Sequence, residues 1–362
     1  MNRAFSVYLD LIRFGAACLV YLYHSNQRWL VTEKLPLSNF GHSAVIVFFV
    51  LSGFVIAYVT ATKENEWVTY TASRLSRVYS VVVPTLLVTV ALDSIGRQLQ
   101  PEVYTYPYDH FALRIIGSLL MLNEVWFISI TTFSNVPYWS VTYEFWYYAA
   151  FGLILFLPGR VALPTALGLL LLIGPKLLLL APIWYAGVLL YRWQTLKTMS
   201  KPLAWLLTVA STAAIIGLHA SGVLEKISAG FEARVGAEAF KALTFSKFFI
   251  ADYFLCALVF CHFAGVRRLA ADLHAGLGWV EGPIRWLAGF TFTLYLLHQP
   301  LFMFWGSVLR GDPGSLLPWL LVTGLTLCSV MLIGHYTESK RGILKQTLTQ
   351  WLRLRSRSWV KA

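Results

Sequence analysis

Ten apolar stretches, most of them close to the roughly 20 residues that a helix needs to cross a bilayer, set the character of this chain. They run at 9–29, 41–62, 77–96, 139–157, 160–174, 176–193, 203–221, 247–265, 286–309 and 316–336. Two of them, 160–174 and 176–193, are short and separated only by the Gly174-Pro175-Lys176 junction. A weaker stretch at 111–130 is interrupted by Arg114, Asn123 and Glu124. Of the 362 residues 57% are hydrophobic and 13% charged, more apolar surface than a soluble domain of this size could hide. The expected fold is therefore all-α, a polytopic membrane bundle of about ten transmembrane helices plus one short re-entrant or partial helix at 111–130. The first stretch lacks an A-x-A-like end, so it is expected to remain as a span rather than to be cleaved.

The formal net charge of +12 raises the question of nucleic acid, but the basic residues sit in short loops between apolar runs. That placement is the signature of membrane orientation, and no nucleic-acid partner is expected. With the N-terminus in the cytosol and 111–130 not crossing, a set of basic residues faces the cytosol: Lys63, Arg74, Arg77, Arg160, Arg192, Lys197, Lys201, Arg267, Arg268 and Arg285. The tail after residue 338 faces it too, and the acidic loop residues collect outside, around 97–110 and 222–246. If 111–130 crossed, most later basic loops would land outside, against the positive-inside rule. Both termini are thus expected in the cytosol. Residues 1–338 read as the integral membrane domain and 339–362 as a basic amphipathic tail lying on anionic lipid. Cys18, Cys256, Cys261 and Cys328 all fall in apolar segments without zinc or CxxC spacing, so no metal is expected.

Ionisable groups inside spans are costly and read first as functional. Asp10 and Arg13 are three apart and share a helical face. Arg13 and His24 are eleven apart, close to three turns, so they share a stripe about 16 Å apart along the axis. In the segment 137–148, PYWSVTYEFWYY, Ser140 and Glu144 lie one turn apart at the depth of His24, where a carboxylate could orient an imidazole base. Arg74 and Arg77 are one turn apart at the cytosolic side, and two guanidinium forks on one face suit an anionic cofactor. His298 lies within 286–309, ahead of Pro300, which is expected to kink the helix. His42 is an accessory candidate, and His262 and His335 carry little weight. Each group also has a structural reading: a snorkelling anchor for Arg13, interhelical hydrogen bonds for His24, Glu144 and His298, and membrane anchoring for the arginine pair.

Taken in order, these segments resemble the acyltransferase-3 family of integral membrane acyltransferases. Arg13 and His24, preceded by Asp10, resemble its Arg, ten residues, His pattern. GHSAVIVFFVLSGFVI at 41–56 is similar to its FFVLSGF signature, through Phe48, Phe49, Ser52, Gly53 and Phe54. RLSR at 74–77 with Pro84, then Trp139, Ser140 and Glu144, then TLYLLHQP at 293–300, match three further motifs. Tyr143 departs from the family, standing where a second acid often precedes the glutamate, and no SGNH-type domain follows, which suggests a stand-alone form.

The resemblance implies a ten-span fold, acetyl-CoA or another acyl-CoA as donor, and a cell-envelope carbohydrate or glycolipid as acceptor, in a bacterial-type inner membrane. The expected mechanism docks the donor nucleotide against Arg74 and Arg77, with Arg13. His24 then serves as general base or transient acyl carrier, with Glu144 orienting it. Asp10, Trp139, Ser140 and His298 shape the site, and the outer loop 222–246 helps to recognise the acceptor. A transporter or flippase using Arg13, His24 and Glu144 as a proton or anion path is the competing class. Beyond donor, acceptor and lipid, no partner is indicated, and nothing in the pattern sets an oligomeric state.

Overall fold

The computed structural model describes residues 2–359. In chain order its helices are α1 (Arg3–Ser25), α2 (Gly41–Thr62), α3 (Trp67–Leu99), α4 (Phe111–Leu119) and α5 (Tyr138–Phe156). There follow α6 (Gly159–Ile173), α7 (Pro175–Arg192), α8 (Lys201–Ser221), α9 (Val223–Val235) and α10 (Ala237–Ala242). The last five are α11 (Phe249–Leu269), α12 (His274–Ala288), α13 (Thr291–Leu309), α14 (Leu316–Thr337) and α15 (Arg341–Trp359). Among the described residues the only extended pairing is an isolated bridge between Thr132 and Asn135. The all-helical class follows from the bilayer: a spanning segment must satisfy its backbone polar groups internally, and a helix does so within one segment.

Among the described residues six segments are long and apolar enough to cross a membrane, beginning at Arg3, Ser38, Trp67, Lys201, Thr244 and Leu316, and α12 with α13 makes a seventh if the two count as one broken span. This is the make-up of an integral membrane protein, and the expected ten is not reached on length and composition alone. The shortfall has a physical reason. At 19 residues α5 is long enough, but it is dense in Tyr and Trp, most of them buried. At 18 residues α7 carries Lys176 and Arg192, while Leu177, Leu180, Ile183 and Trp184 along it are fully buried. Helices that face protein rather than lipid need not be apolar all round. Only 15 residues long, α6 falls short of a straight span.

Several boundaries differ from expectation. The 77–96 stretch is the later part of a 33-residue helix, α3, so Arg74 and Arg77 lie two to three turns inside it. The 286–309 stretch is divided by a break at residues 289–290, while α13 continues through Pro300. The expected outer loop 222–246 is mostly helical, as α9, α10 and a 3-10 turn. In the 111–130 stretch only the nine residues of α4 are helical. The chain beyond α4 runs irregularly to Pro137, with Met121, Trp126 and Phe133 at positive φ.

The chain divides into two compact units. The first holds residues 1–23, 39–62 and 174–288. Its centre is the crossing of α2 and α7, where a Cβ on Gly53 would lie 2.0 Å from the Trp184 carbonyl oxygen and one on Gly187 2.0 Å from that of Val50. Glycine at both positions is what lets the two backbones touch. The Trp184 indole N–H donates to Ser52 Oγ at 3.1 Å across the same crossing. Against this pair lies α11, which also packs along α8.

The second unit holds residues 24–38, 63–173 and 289–362, and it is built on α3, α13 and α14 with α5 and α15 against α3. The end of α4 and the start of the irregular segment after it are pinned by side chains from this unit. Tyr79 donates to the Leu119 carbonyl at 2.7 Å, Tyr138 to that of Ser118 at 2.8 Å, and the Trp146 indole to that of Met121 at 2.7 Å. Such a segment can sit at membrane depth only where protein supplies partners for its backbone, and here it does.

Candidate functional site

Nine residues were singled out by sequence, and the structure puts seven of them in the second unit and two, Asp10 and Arg13, in the first. Asp10 bridges two arginines, accepting from Arg13 Nη1 at 3.1 Å and Arg285 Nη1 at 3.0 Å. Arg285 also pairs with Glu281, which pairs with Arg3, so Asp10 and Arg13 belong to an ionic chain between α1 and α12.

His24 ends α1 and faces α13. Its Nδ1 lies 3.1 Å from Nε2 of His298, with the ring centroids 5.0 Å apart. The residues just after His24 hold it there: Ser25 accepts from the Trp319 indole at 3.1 Å, and Trp29 stacks on Phe302 at 6.3 Å. Gly306 leaves room for the Trp29 ring, whose edge a Cβ would meet at 2.5 Å.

The tautomers follow from the partners. His298 is buried, and its Nδ1 is held by the carbonyl oxygens of Tyr295, at 2.8 Å, and Leu294, at 3.1 Å. A carbonyl can only accept, so in the neutral ring Nδ1 carries the proton and Nε2 is the acceptor. The hydrogen between the two rings is then that of His24 Nδ1, and the basic nitrogen of His24 is its Nε2. The backbone of α13 thus sets the tautomer of a neutral His24 through one intervening imidazole.

Pro300 helps to place that imidazole. Proline lacks the N–H that would pair with the carbonyl four residues earlier, here Leu296. The orphaned oxygen accepts from Asn135 Nδ2 at 2.7 Å. The helix runs on through Pro300, and a side chain from the irregular segment takes the missing donor's place. That pairing fixes residues 135 and 296 together, with Ser140 on one side and His298 on the other.

On the same side of α13, Tyr295 shares a 2.5 Å hydrogen bond with Ser140. Trp139, nearly buried, packs edge-on against Tyr143 at 5.2 Å, which extends the wall along α5. Glu144, one turn beyond Ser140, accepts a hydrogen bond from Tyr148. The Arg77 guanidinium sits 5.9 Å over the Phe292 ring, with Tyr148, Glu144 and Glu338 within electrostatic reach. Glu338 in turn accepts from the Thr293 hydroxyl at 2.7 Å and backbone N–H at 2.9 Å. Arg74 is paired with Glu64 and lies over the rings of Tyr70 and Tyr148.

A polar track therefore joins residues from α3, α5 and α13, namely Arg77, Tyr148, Glu144, Ser140, Tyr295 and His298, and ends on His24 of α1. Tyr148, Tyr295, Glu64 and Glu338 were not singled out by sequence. Tyr295 had a signal, three residues before His298 in TLYLLHQP. Glu64 and Glu338 had none, because an acid at a helix end looks like any other until its partner is in place. Among the described residues no three His, Cys, Asp or Glu side chains converge in a way that could hold a metal ion.

The acyltransferase-3 family model, described as an acyltransferase domain, matches residues 6–335. The chain belongs to this family. It is also similar to a protein named acyltransferase MdmB from Streptomyces mycarofaciens, with 27% identity over 151 residues. That alignment covers 39% of this chain and 37% of the relative, so it spans little more than a third of that protein's length. No solved structure matches the chain. The family match runs from the first turn of α1 nearly to the end of α14 and so takes in every residue of the polar track, while Glu338 lies just beyond it.

Proposed function

We propose that the protein is an integral membrane O-acyltransferase. It moves an acetyl or other short acyl group from cytosolic acyl-CoA to a hydroxyl of an extracytoplasmic or lipid-linked carbohydrate. In this reading ten helices cross a bacterial-type inner membrane with both termini in the cytosol. The observation that carries the proposal is the pairing of His24 with His298, which makes His24 Nε2 a base whose tautomer is set by backbone carbonyls.

Acyl transfer needs little more than such a base beside a thioester and a hydroxyl. His24 Nε2 accepts the proton of the acceptor hydroxyl as its oxygen attacks the thioester carbonyl. The C–S bond breaks, and the imidazolium returns the proton to the departing thiolate. Glu144, Tyr148 and Arg77 form the track leading away from the bases, and the arginines meet the donor's phosphates. An orphaned donor supports a phosphate at that end: Arg74 Nε is buried and has no hydrogen-bond acceptor among the described residues.

The decisive experiment is transfer of radiolabel from acetyl-CoA to an envelope glycan by the purified protein in lipid nanodiscs. The wild type transfers label, and His24→Ala loses about two to four orders of magnitude in rate while inserting normally. Near-normal transfer by His24→Ala would sink the mechanism. A wild-type protein that moves glycan without consuming donor would point instead to a transporter.

A further inference from the structure

The helix α15 lies beyond the family match, and its sequence reads as a tail resting on lipid. In the structure it packs along the first turns of α3, with Leu352 and Leu348 against Val68 and Ala72. Two ion pairs tie it to the segment ahead of α3: Lys345 Nζ to Glu64 at 3.8 Å and Arg353 to Glu66 at 3.6 Å. The opposite face exposes Ile343, Trp351 and Leu354, so one stripe meets protein and another is open.

This packing brings a third basic fork to the arginine pair. Arg341, the first residue of α15, is partly buried and within electrostatic reach of Arg74, Arg77, Glu64 and Glu338. Glu64 sits among these cations and is shared by Arg74 and Lys345. Like charges gathered at a half-buried site repel one another unless anions lie among them. Glu64 and Glu338 are placed to do this for Arg341, and Arg77 also answers to Glu144 and Tyr148. The buried Nε–H of Arg74 still lacks an acceptor among the described residues.

The geometry points to α15 as the closing wall of an anion site: Arg341 and Lys345 join Arg74 and Arg77 around the phosphates of the acyl donor, and Glu64 is the internal counter-ion they exchange for it. This rests on the reading of Arg74 and Arg77 as the donor end of the site. It adds two residues from outside the matched domain and gives the last helix a part in donor recognition. A phosphate could also come from a lipid headgroup, and the same four cations would meet it, so the test separates the two.

The test is calorimetric binding of CoA to the full-length protein in nanodiscs of neutral lipid, with phosphatidylglycerol nanodiscs as the second arm. Arg341→Ala and Lys345→Ala are each expected to weaken CoA binding about tenfold in neutral lipid. Transfer from acetyl-pantetheine, which lacks the nucleotide phosphates, stays at the wild-type rate in both. Glu64→Gln is expected to bind CoA about threefold more tightly, a gain that a damaged fold cannot imitate. Wild-type CoA affinity in Arg341→Ala, with Arg77→Ala still weakened, would overturn the role of α15 and leave the donor site standing. Wild-type affinity in both would remove the donor site as well. Loss of phosphatidylglycerol binding with CoA binding intact would also overturn the proposal, assigning the cations to lipid.

Discussion

His298 presents Nε2 to Nδ1 of His24 at 3.1 Å while two carbonyl oxygens of its own helix hold its other nitrogen. The proposed base therefore meets a second imidazole, whereas the sequence suggested a carboxylate, Glu144, as the group that orients it. A neutral partner fixes the tautomer without adding charge in a buried place, where an unpaired charge is costly.

His298→Gln is expected to lower the transfer rate by about two orders of magnitude with little change in KM for the donor, because it loosens the His24 tautomer rather than donor binding. Glu144→Gln should instead act through Tyr148 and Arg77 and raise donor KM. Steady-state kinetics of the two variants separate these roles. Equal effects on kcat and KM in both would mean that the track acts as one unit, contrary to the division drawn here.

Asn135 stands in for the donor that Pro300 lacks. Asn135→Ala should cost about 1–3 kcal/mol of unfolding stability by leaving the buried Leu296 carbonyl unpaired. In a Pro300→Ala background the cost should shrink, since residue 300 then supplies its own N–H to Leu296. A double-mutant cycle on detergent-solubilised protein measures the coupling. Additive effects would show that Asn135 and Pro300 do not compensate one another.

The α2–α7 crossing tolerates no side chain at Gly187. Gly187→Ala should lower stability by about 1–3 kcal/mol through forced separation of the helices, and Gly53→Ala should behave alike. Gly217, where an added Cβ meets nothing within 4 Å, is the control and should be near neutral. Thermal unfolding of the three variants decides the matter, and equal stability would contradict the close approach.

Asp109, in the loop before α4, is held below the ordinary carboxylate value of 3.8 by hydrogen bonding to Arg114, and then by its charge. The folded-state value is depressed, so the pair contributes above the unfolded value and is lost as pH falls through the folded one. Asp109→Asn should therefore melt slightly lower than wild type at neutral pH, and the gap should close under strong acid. A gap unchanged with pH would mean the effect is steric. The exposed position of Asp109 makes the expected difference small.

The sequence by itself determined the solvent, the helical class, the family motifs and the costly polar residues. Each of these is local: hydrophobic runs of bilayer length, an arginine and a histidine eleven apart, a serine and a glutamate one turn apart. Motif spacing could place Arg13 and His24 on one helix, and it did. What spacing cannot carry is which helix stands opposite, because a pair such as His24 and His298 is 274 residues apart and is set by how bundles pack. Hydropathy likewise could not number the spans, since helices such as α5 and α7 that meet protein are free to carry Tyr, Trp and Lys. The tertiary structure alone decided that His24 meets a histidine, that Asn135 mends the helix at Pro300, and that the terminal helix packs beside the arginine pair. In each case a polar group's energy depends on the partner brought to it, and only the folded chain supplies that partner.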